Sequence, residues 1–450
     1  MADRNESKPP SWTHEVKRII ALGVPIGMSA LTEPVLTMTD TFVAGQIGTA
    51  ELGAMGLAGT LVGSISWMFF FLTAWSTTAV ARAFGRNDMR TANRATIYAL
   101  VVSQIIALGL VMLYWFGGGL LIHLTGAVDA LQPLAVDYVR LRAFGMPFLM
   151  ISFVWWGAYR GVNANVPVLI VSIAIAILNL PISMGLALGL GWGLKGVAIG
   201  TDIVECIESL LLITYAYRYL GVRIPRKSKW YPSRLELKSM LGSVSNLFVR
   251  SLFLAGQYMV MAAVAGRLGV VAAAAHQILM QVRTIQNVIL DSFAHASQAL
   301  VAQSLDTATV RERRVLMRTA SGLGAVFGLV LIPVMMLVRY PLIGLFTTDP
   351  AVVALTALVW IVPVFSAAFD GLTFVGDGIV MGYERWKVLT ASAIIGCSIA
   401  IGVGLVVVSA QAHLIVLWIA VEVAIVIRGI VLWVGMRMAD KKEAQQIDPS

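Results

Sequence analysis

The sequence predicts an all-α integral membrane protein, with about twelve transmembrane helices in two parallel six-helix repeats around a central cleft. Three observations predict it. Of 450 residues, 58% are hydrophobic and only 13% charged, with mean hydropathy +0.83, whereas soluble domains run near 45–50% and about 25%. Apolar runs of at least ~18 residues, each long enough to cross a core of about 30 Å, recur along the whole chain. The second half also repeats the first at one fixed spacing. The alternating pattern of a membrane β-barrel is absent.

Taken in order, the spans fall at roughly 16–46, 53–83, 92–117, 134–160, 166–190, 193–219, 236–266, 272–303, 313–338, 353–381, 386–410 and 412–437. The first is longer than a signal-peptide core and lacks an early cleavage site, so it is read as a span. Basic residues cluster in alternate connections. They are Lys17 and Arg18, then Arg82, Arg86, Arg90 and Arg94, the stretch RYLGVRIPRKSKWYPSRLELK at 218–238, RERR at 311–314, Arg385 with Lys387, and Lys441 with Lys442. By the positive-inside rule these loops and both termini are cytoplasmic. The chain then divides into a tail at 1–15, a first lobe at 16–219, a loop at 220–235, a second lobe at 236–437 and a tail at 438–450. The net charge of +9 is thereby a topology signal; no aromatic-interleaved module accompanies it, so no nucleic-acid partner is expected.

VAGQIG at 43–48 returns as VAGRLG at 264–269, Ala81 falls on Ala302, and Gly161 falls on Gly382, each pair 221 apart. Three matches at one offset argue for duplication. Six spans per half is even, so both halves enter the membrane in the same orientation. That plan suits a secondary transporter that rocks one half against the other. No GxxxxGK[ST] run and no repeated filter loop suggests a pump or a channel. The five histidines are scattered and the two cysteines, Cys206 and Cys397, have no metal or disulfide spacing, so neither a metal nor a cofactor is expected. An integral-membrane enzyme is the alternative from a different class.

Two carboxylates, Glu33 and Asp40, interrupt the first span two turns apart. A mid-helix Asp costs about 2.5–3.5 kcal/mol on insertion, avoided by facing a wet cavity or carrying a proton. The repeat places Met261 opposite Asp40 and Leu254 opposite Glu33. An architectural requirement would appear in both halves, so Asp40 is assigned to function. Glu33 has two readings, a substrate contact or a partner for backbone freed by Pro34, which is expected to bend the helix. Asp202, with Glu205 and Glu208, either shares the Asp40 cavity or pairs with Arg142. Asp291 with His295, and Asp370 with Asp377, lie on shared helix faces and are candidates for a cation site; their roles stay open. Met150 and Phe153 are the candidate apolar substrate contacts.

LTMTDTFVAGQIG, YRGVNANVP at 159–167 and ILNLPISMGLALGLGWGLKGVAIGT at 177–201 resemble the multidrug and toxic compound extrusion (MATE) family, its DinF-like branch in particular. The resemblance covers nearly the whole chain. It implies a cation-coupled antiporter exporting bulky, often cationic or amphipathic organic compounds by alternating access, as a monomer in a bacterial inner membrane. It places the proton-binding aspartate at Asp40, the helix-bending proline at Pro25, and polar neighbours at Tyr138, Asn179 and Thr201. Ser183 stands where several relatives carry a second aspartate, Glu33 where they carry a neutral residue, and Ala164 and Asn165 replace their usual Asp-Thr. Proton coupling at Asp40 is the expectation. Sodium coupling is the alternative, although the stretch 239–266 lacks the carboxylate of the sodium-coupled branch. A lipid-linked precursor flippase is a third reading.

Overall fold

The computed structural model describes residues 12–124, 131–219, 234–410 and 413–447. Nearly all of the expected loop at 220–235, most of the tail at 1–15 and the end of the tail at 438–450 lie outside them. Every regular element among the described residues is helical. The chain runs through α1 (Trp12–Ala30), α2 (Thr32–Ile47), α3 (Thr49–Met68), α4 (Phe71–Gly85), α5 (Met89–Leu124), α6 (Gln132–Arg142), α7 (Met146–Gly161) and α8 (Asn165–Met184), which widens into a π-helical turn over Gly185–Gly189. It continues through α9 (Gly193–Tyr219), α10 (Arg234–Arg267), α11 (Val270–Ser304), α12 (Val310–Leu337), α13 (Arg339–Phe346), α14 (Pro350–Phe365), α15 (Ala367–Gly382), α16 (Trp386–Ser409) and α17 (Leu414–Ile447).

Eight stretches among the described residues are long and apolar enough to cross a membrane, and the bent pairs α6/α7 and α14/α15 bring the number to ten. Helices α9 and α11, with 27 and 35 residues, are also long enough. They are less apolar because each carries charges, of which Glu205, Glu208 and Arg283 are buried. Counting them gives twelve spans.

Several spans are broken where the sequence reading had them continuous. The first is interrupted at Leu31, and of its two prolines it is Pro34 that explains the break. Its missing N–H and its ring fall against the carbonyl of Ala30, the last residue of α1. Of the two prolines expected to bend this span, Pro25 instead lies inside an unbroken α1. The fourth and tenth spans bend by 52° and 49°, at Gly145 and Ser366, which are again 221 apart. Pro147 lies just after the first bend and Pro363 just before the second. The bend therefore belongs to the repeated fold, and either proline placement accommodates it.

The chain forms two compact units, one of Met28–Val244 and the other joining the chain up to Gly27 to the chain from Ser245 onward. The boundary thus falls inside the first span, whereas the sequence reading put the whole of 16–219 in one lobe. The reason is local packing. Ile19 and Ile26 of α1 are buried with Phe293 and Leu300 of α11, and a Cβ at Gly23 or Gly27 would sit 3.1 Å from Phe293 or Ser292. In the first unit the core runs from Leu36 through Trp155, Tyr159 and Leu212. In the second it surrounds Trp360 and Trp418.

The repeat is carried residue by residue. Helix starts at Thr49 and Val270, Met89 and Val310, Met146 and Ala367, Asn165 and Trp386, and Gly193 and Leu414 are all 221 apart. Gly157 lies against the Thr73 carbonyl and Gly378 against the Ala294 carbonyl, equivalent contacts that leave no room for a Cβ. Each of those helices ends in a turn with a residue at positive φ, Asn163 at 61° and Glu384 at 57°.

Candidate functional site

Asp40 lies seven residues before the end of α2 and is only 4% exposed. It meets α8 and α9. Asn179 Nδ2 donates to its Oδ1 at 2.9 Å, Ser183 Oγ approaches the same oxygen at 3.5 Å, and Thr201 Oγ1 contacts Oδ2 at 2.6 Å. All three neighbours are neutral and buried. Asn179 and Ser183 are one turn apart on α8, so both reach the carboxylate from one face. Glycine admits α9 to this point. A Cβ at Gly200 would lie 2.6 Å from Ser183 Oγ, and one at Gly196 would lie 2.6 Å from the Ala187 backbone.

Thr201 has a second acceptor. Its hydroxyl is 3.1 Å from the Val197 carbonyl as well as 2.6 Å from Asp40, and it has one proton to donate. With Asp40 ionised, that proton goes to Oδ2. With Asp40 protonated, the carboxyl proton goes to Oγ1 and the threonine proton turns to Val197. The same coordinates satisfy both protonation states.

No cation pairs with Asp40 among the described residues. The nearby Arg142 is taken elsewhere. Its Nη2 donates to Glu205 Oε1 at 2.6 Å and its Nη1 to Glu205 Oε2 at 3.1 Å, with a further short contact from Nη1 to Asp202. Of the two readings for Asp202, membership of the Asp40 network or pairing with Arg142, the structure has the second. Gly145 lies beside this triad, where a Cβ would collide with all three side chains. Glu208 accepts from Trp156 Nε1 at 3.0 Å.

Other candidates are placed differently from the expectation. Tyr138 is buried on α6, but its hydroxyl does not hydrogen-bond the Asp40 carboxylate. Met150 is fully buried, and Phe153 packs edge-on against Phe70 at 5.4 Å and beside Trp156. Phe153, whose carbonyl accepts from Thr73 of α4, packs between α4 and α7, and neither side chain lines an open surface. Glu33 is exposed, two turns before Asp40. In the second unit Arg283 bridges Asp370 at 2.9 Å and Glu422 at 2.8 Å, while Asp377 accepts from Arg250 at 2.8 Å and Arg428 at 2.6 Å. Guanidinium groups therefore stand beside Asp370 and Asp377, where a free cation was considered. His295 Nδ1 lies 3.3 Å from Gln298 Oε1 and one turn from Asp291.

The MatE family model matches residues 25–184 and again residues 247–406, one copy per half. This chain belongs to the MatE family. Its relatives include Protein DETOXIFICATION 44, chloroplastic, of Arabidopsis thaliana, 23% identical and covering 84% of this chain and 74% of the relative. Another is the probable multidrug resistance protein NorM of Mannheimia succiniciproducens, 22% identical over 96% of each chain. Among solved structures, a MATE in the bent conformation superposes with TM-score 0.87 at 18% identity, covering 98% of this chain and 99% of that one. An outward-facing multidrug resistance MATE transporter of the MOP superfamily gives 0.86 at 18%, covering 97% and 98%. MatE proteins are transporters, so the membrane-enzyme alternative is set aside.

Within this MatE chain, the two halves share the fold but not the site. Met261, Ala400 and Gly404 stand where Asp40, Asn179 and Ser183 stand, and Met261 and Ala400 are buried in an apolar cluster. Sequence reasoning missed the glycines that close the site. The signal was present as GxxxG at 196–200, a spacing that lets helix backbones approach.

Proposed function

We propose that this MatE chain is a proton-coupled antiporter, of the DinF-like branch, exporting bulky and often cationic organic compounds across a bacterial inner membrane with its termini cytoplasmic. The observation that carries it is Asp40, a buried carboxylate held by neutral donors and matched by no counter-ion among the described residues. An unpaired buried charge is costly. A proton or a cationic substrate removes the cost, and one excludes the other. Competition then supplies the coupling: drug leaves outward as Asp40 takes a proton, and loss of that proton inward restores affinity for the next cation. Alternating access of the two halves, acting as a monomer, provides the cycle. Similarity to the probable multidrug resistance protein NorM and to a multidrug resistance MATE transporter supports the substrate class.

The test is efflux from proteoliposomes under imposed gradients. Asp40→Asn keeps the size and most hydrogen bonds of the side chain but cannot trade a proton. It is expected to abolish proton-driven efflux at unchanged expression and thermal stability. Near-normal efflux by that variant, or wild-type efflux that follows a sodium gradient at fixed pH, overturns the assignment.

A further inference from the structure

The second unit carries a groove of about 920 Å³ between α12, α15 and α17. Helix α15 forms its floor, and α12 and α17 form its walls. Much of the lining is apolar, with Phe369 and Leu372 on the floor and Ile430 and Trp433 on the α17 wall all exposed. At one end stand Arg314 and Arg318 from the start of α12 and Arg437 from α17. These three are exposed and form no ion pair or hydrogen bond among the described residues. Arg437 rests its guanidinium 3.7 Å over the Trp433 ring, which fixes the charge at the groove mouth. No carboxylate is among the described residues lining it.

Length and polarity identify what fits. Along α17 the lining runs from Val426 to Arg437, eleven helical steps or about 16 Å at the helical rise. That is close to half of a hydrocarbon core of about 30 Å. On α12 the lining recurs at Arg314, Met317, Arg318 and Ser321, one face of the helix. The basic end belongs to the RERR connection, which the charge pattern places on the cytoplasmic side. An apolar slot one leaflet deep, opening at its headgroup end onto unpaired arginines, matches an amphiphile with one acyl chain and an anionic head. Basic pockets between spans on that side hold such headgroups.

We propose that this groove is a binding site for one anionic phospholipid of the cytoplasmic leaflet, its phosphate on Arg314, Arg318 and Arg437 and one acyl chain along α15. The site is separate from the Asp40 network and its test does not depend on transport. Purified protein in phosphatidylcholine mixed micelles is titrated with phosphatidylglycerol, and retained lipid is counted by native mass spectrometry. Wild type is expected to keep one phosphatidylglycerol in preference to phosphatidylcholine by about tenfold or more, given three basic side chains near the headgroup. R314Q/R318Q/R437Q should bring that preference close to one. Ser321→Trp, which fills the slot but keeps the arginines, should also release the lipid. A control without Arg86 and Arg90 should retain it. Melting temperature in phosphatidylcholine alone shows that each variant is folded. Equal retention of both lipids by wild type overturns the proposal. So does retention by the triple variant, retention by Ser321→Trp, or equal loss in the control.

Discussion

Thr201 donates one proton to either of two acceptors, and that places it at the centre of any proton exchange at Asp40. Thr201→Ser preserves the hydroxyl and should keep proton-driven efflux within about twofold, whereas Thr201→Val leaves Asp40 Oδ2 without its partner. Losing a partner of a buried polar group costs about 1–3 kcal/mol, so the valine variant should fall by roughly tenfold or more in initial efflux rate. Equal rates for the two variants would remove Thr201 from the mechanism. Glu33 gives a second residue-scale expectation. It is exposed and two turns, about 10 Å, from Asp40, so Glu33→Gln should weaken dicationic substrates most while leaving the pH profile of efflux in place. A profile moved by about one unit would show that the two acids titrate together. That Asp40 has no acidic counterpart in the second half was legible, because Met261 stands 221 residues on. Pairing of Asp202 with Arg142 was one of two readings open in the sequence, and helical spacing could not choose between them, since it gives faces and not which neighbour lies across 60 residues of chain.

At the scale of elements, the two repeats cap equivalent helices with the same geometry and different chemistry. Asp88 precedes α5, accepting from Thr91 N at 3.0 Å and Thr91 Oγ1 at 2.5 Å. Thr309, 221 residues later, precedes α12 and forms a reciprocal capping box with Glu312. Removing the second cap by Thr309→Ala should cost about 1 kcal/mol, read as a lower melting temperature in detergent. The Thr91 hydroxyl, and then its N–H, hold the Asp88 carboxyl below the usual carboxylate range. A depressed folded value means that the stabilisation is present above the unfolded value of about 3.9 and fades as pH falls through the folded one. Wild type should therefore outlast Asp88→Asn at pH 7, and the gap should close on acidification below about pH 4. A gap that is independent of pH would assign the cap to hydrogen bonding without charge.

For the whole molecule, the basic connections fix a sidedness that labelling can read. In a background without Cys206 and Cys397, single cysteines near Arg90, Ser228 and Arg313 should stay shielded from impermeant thiol reagents added outside intact cells. Position 228 lies outside the described residues, so that arm tests the charge pattern alone. Labelling at any of the three would break the even-span topology there. The duplication makes the two units comparable at every helix, and the comparison separates fold from function. The second unit matches three buried carboxylates, Asp370, Asp377 and Glu422, with Arg283, Arg250 and Arg428. In the first, no cation pairs with Asp40 among the described residues.

The sequence by itself determined the membrane class, the twelve spans, the 221-residue repeat and the singularity of Asp40, because hydropathy, charge placement and internal offset are one-dimensional signals. The tertiary structure alone decided that the first span is shared between units, because Gly23 and Gly27 matter only once α11 is beside them. It also decided that Met150 and Phe153 are packing residues, that Arg142 takes Asp202 and Glu205, and that Thr201 faces two acceptors. Each of those depends on which helix face meets which neighbour, and close packing between helices far apart in sequence sets that.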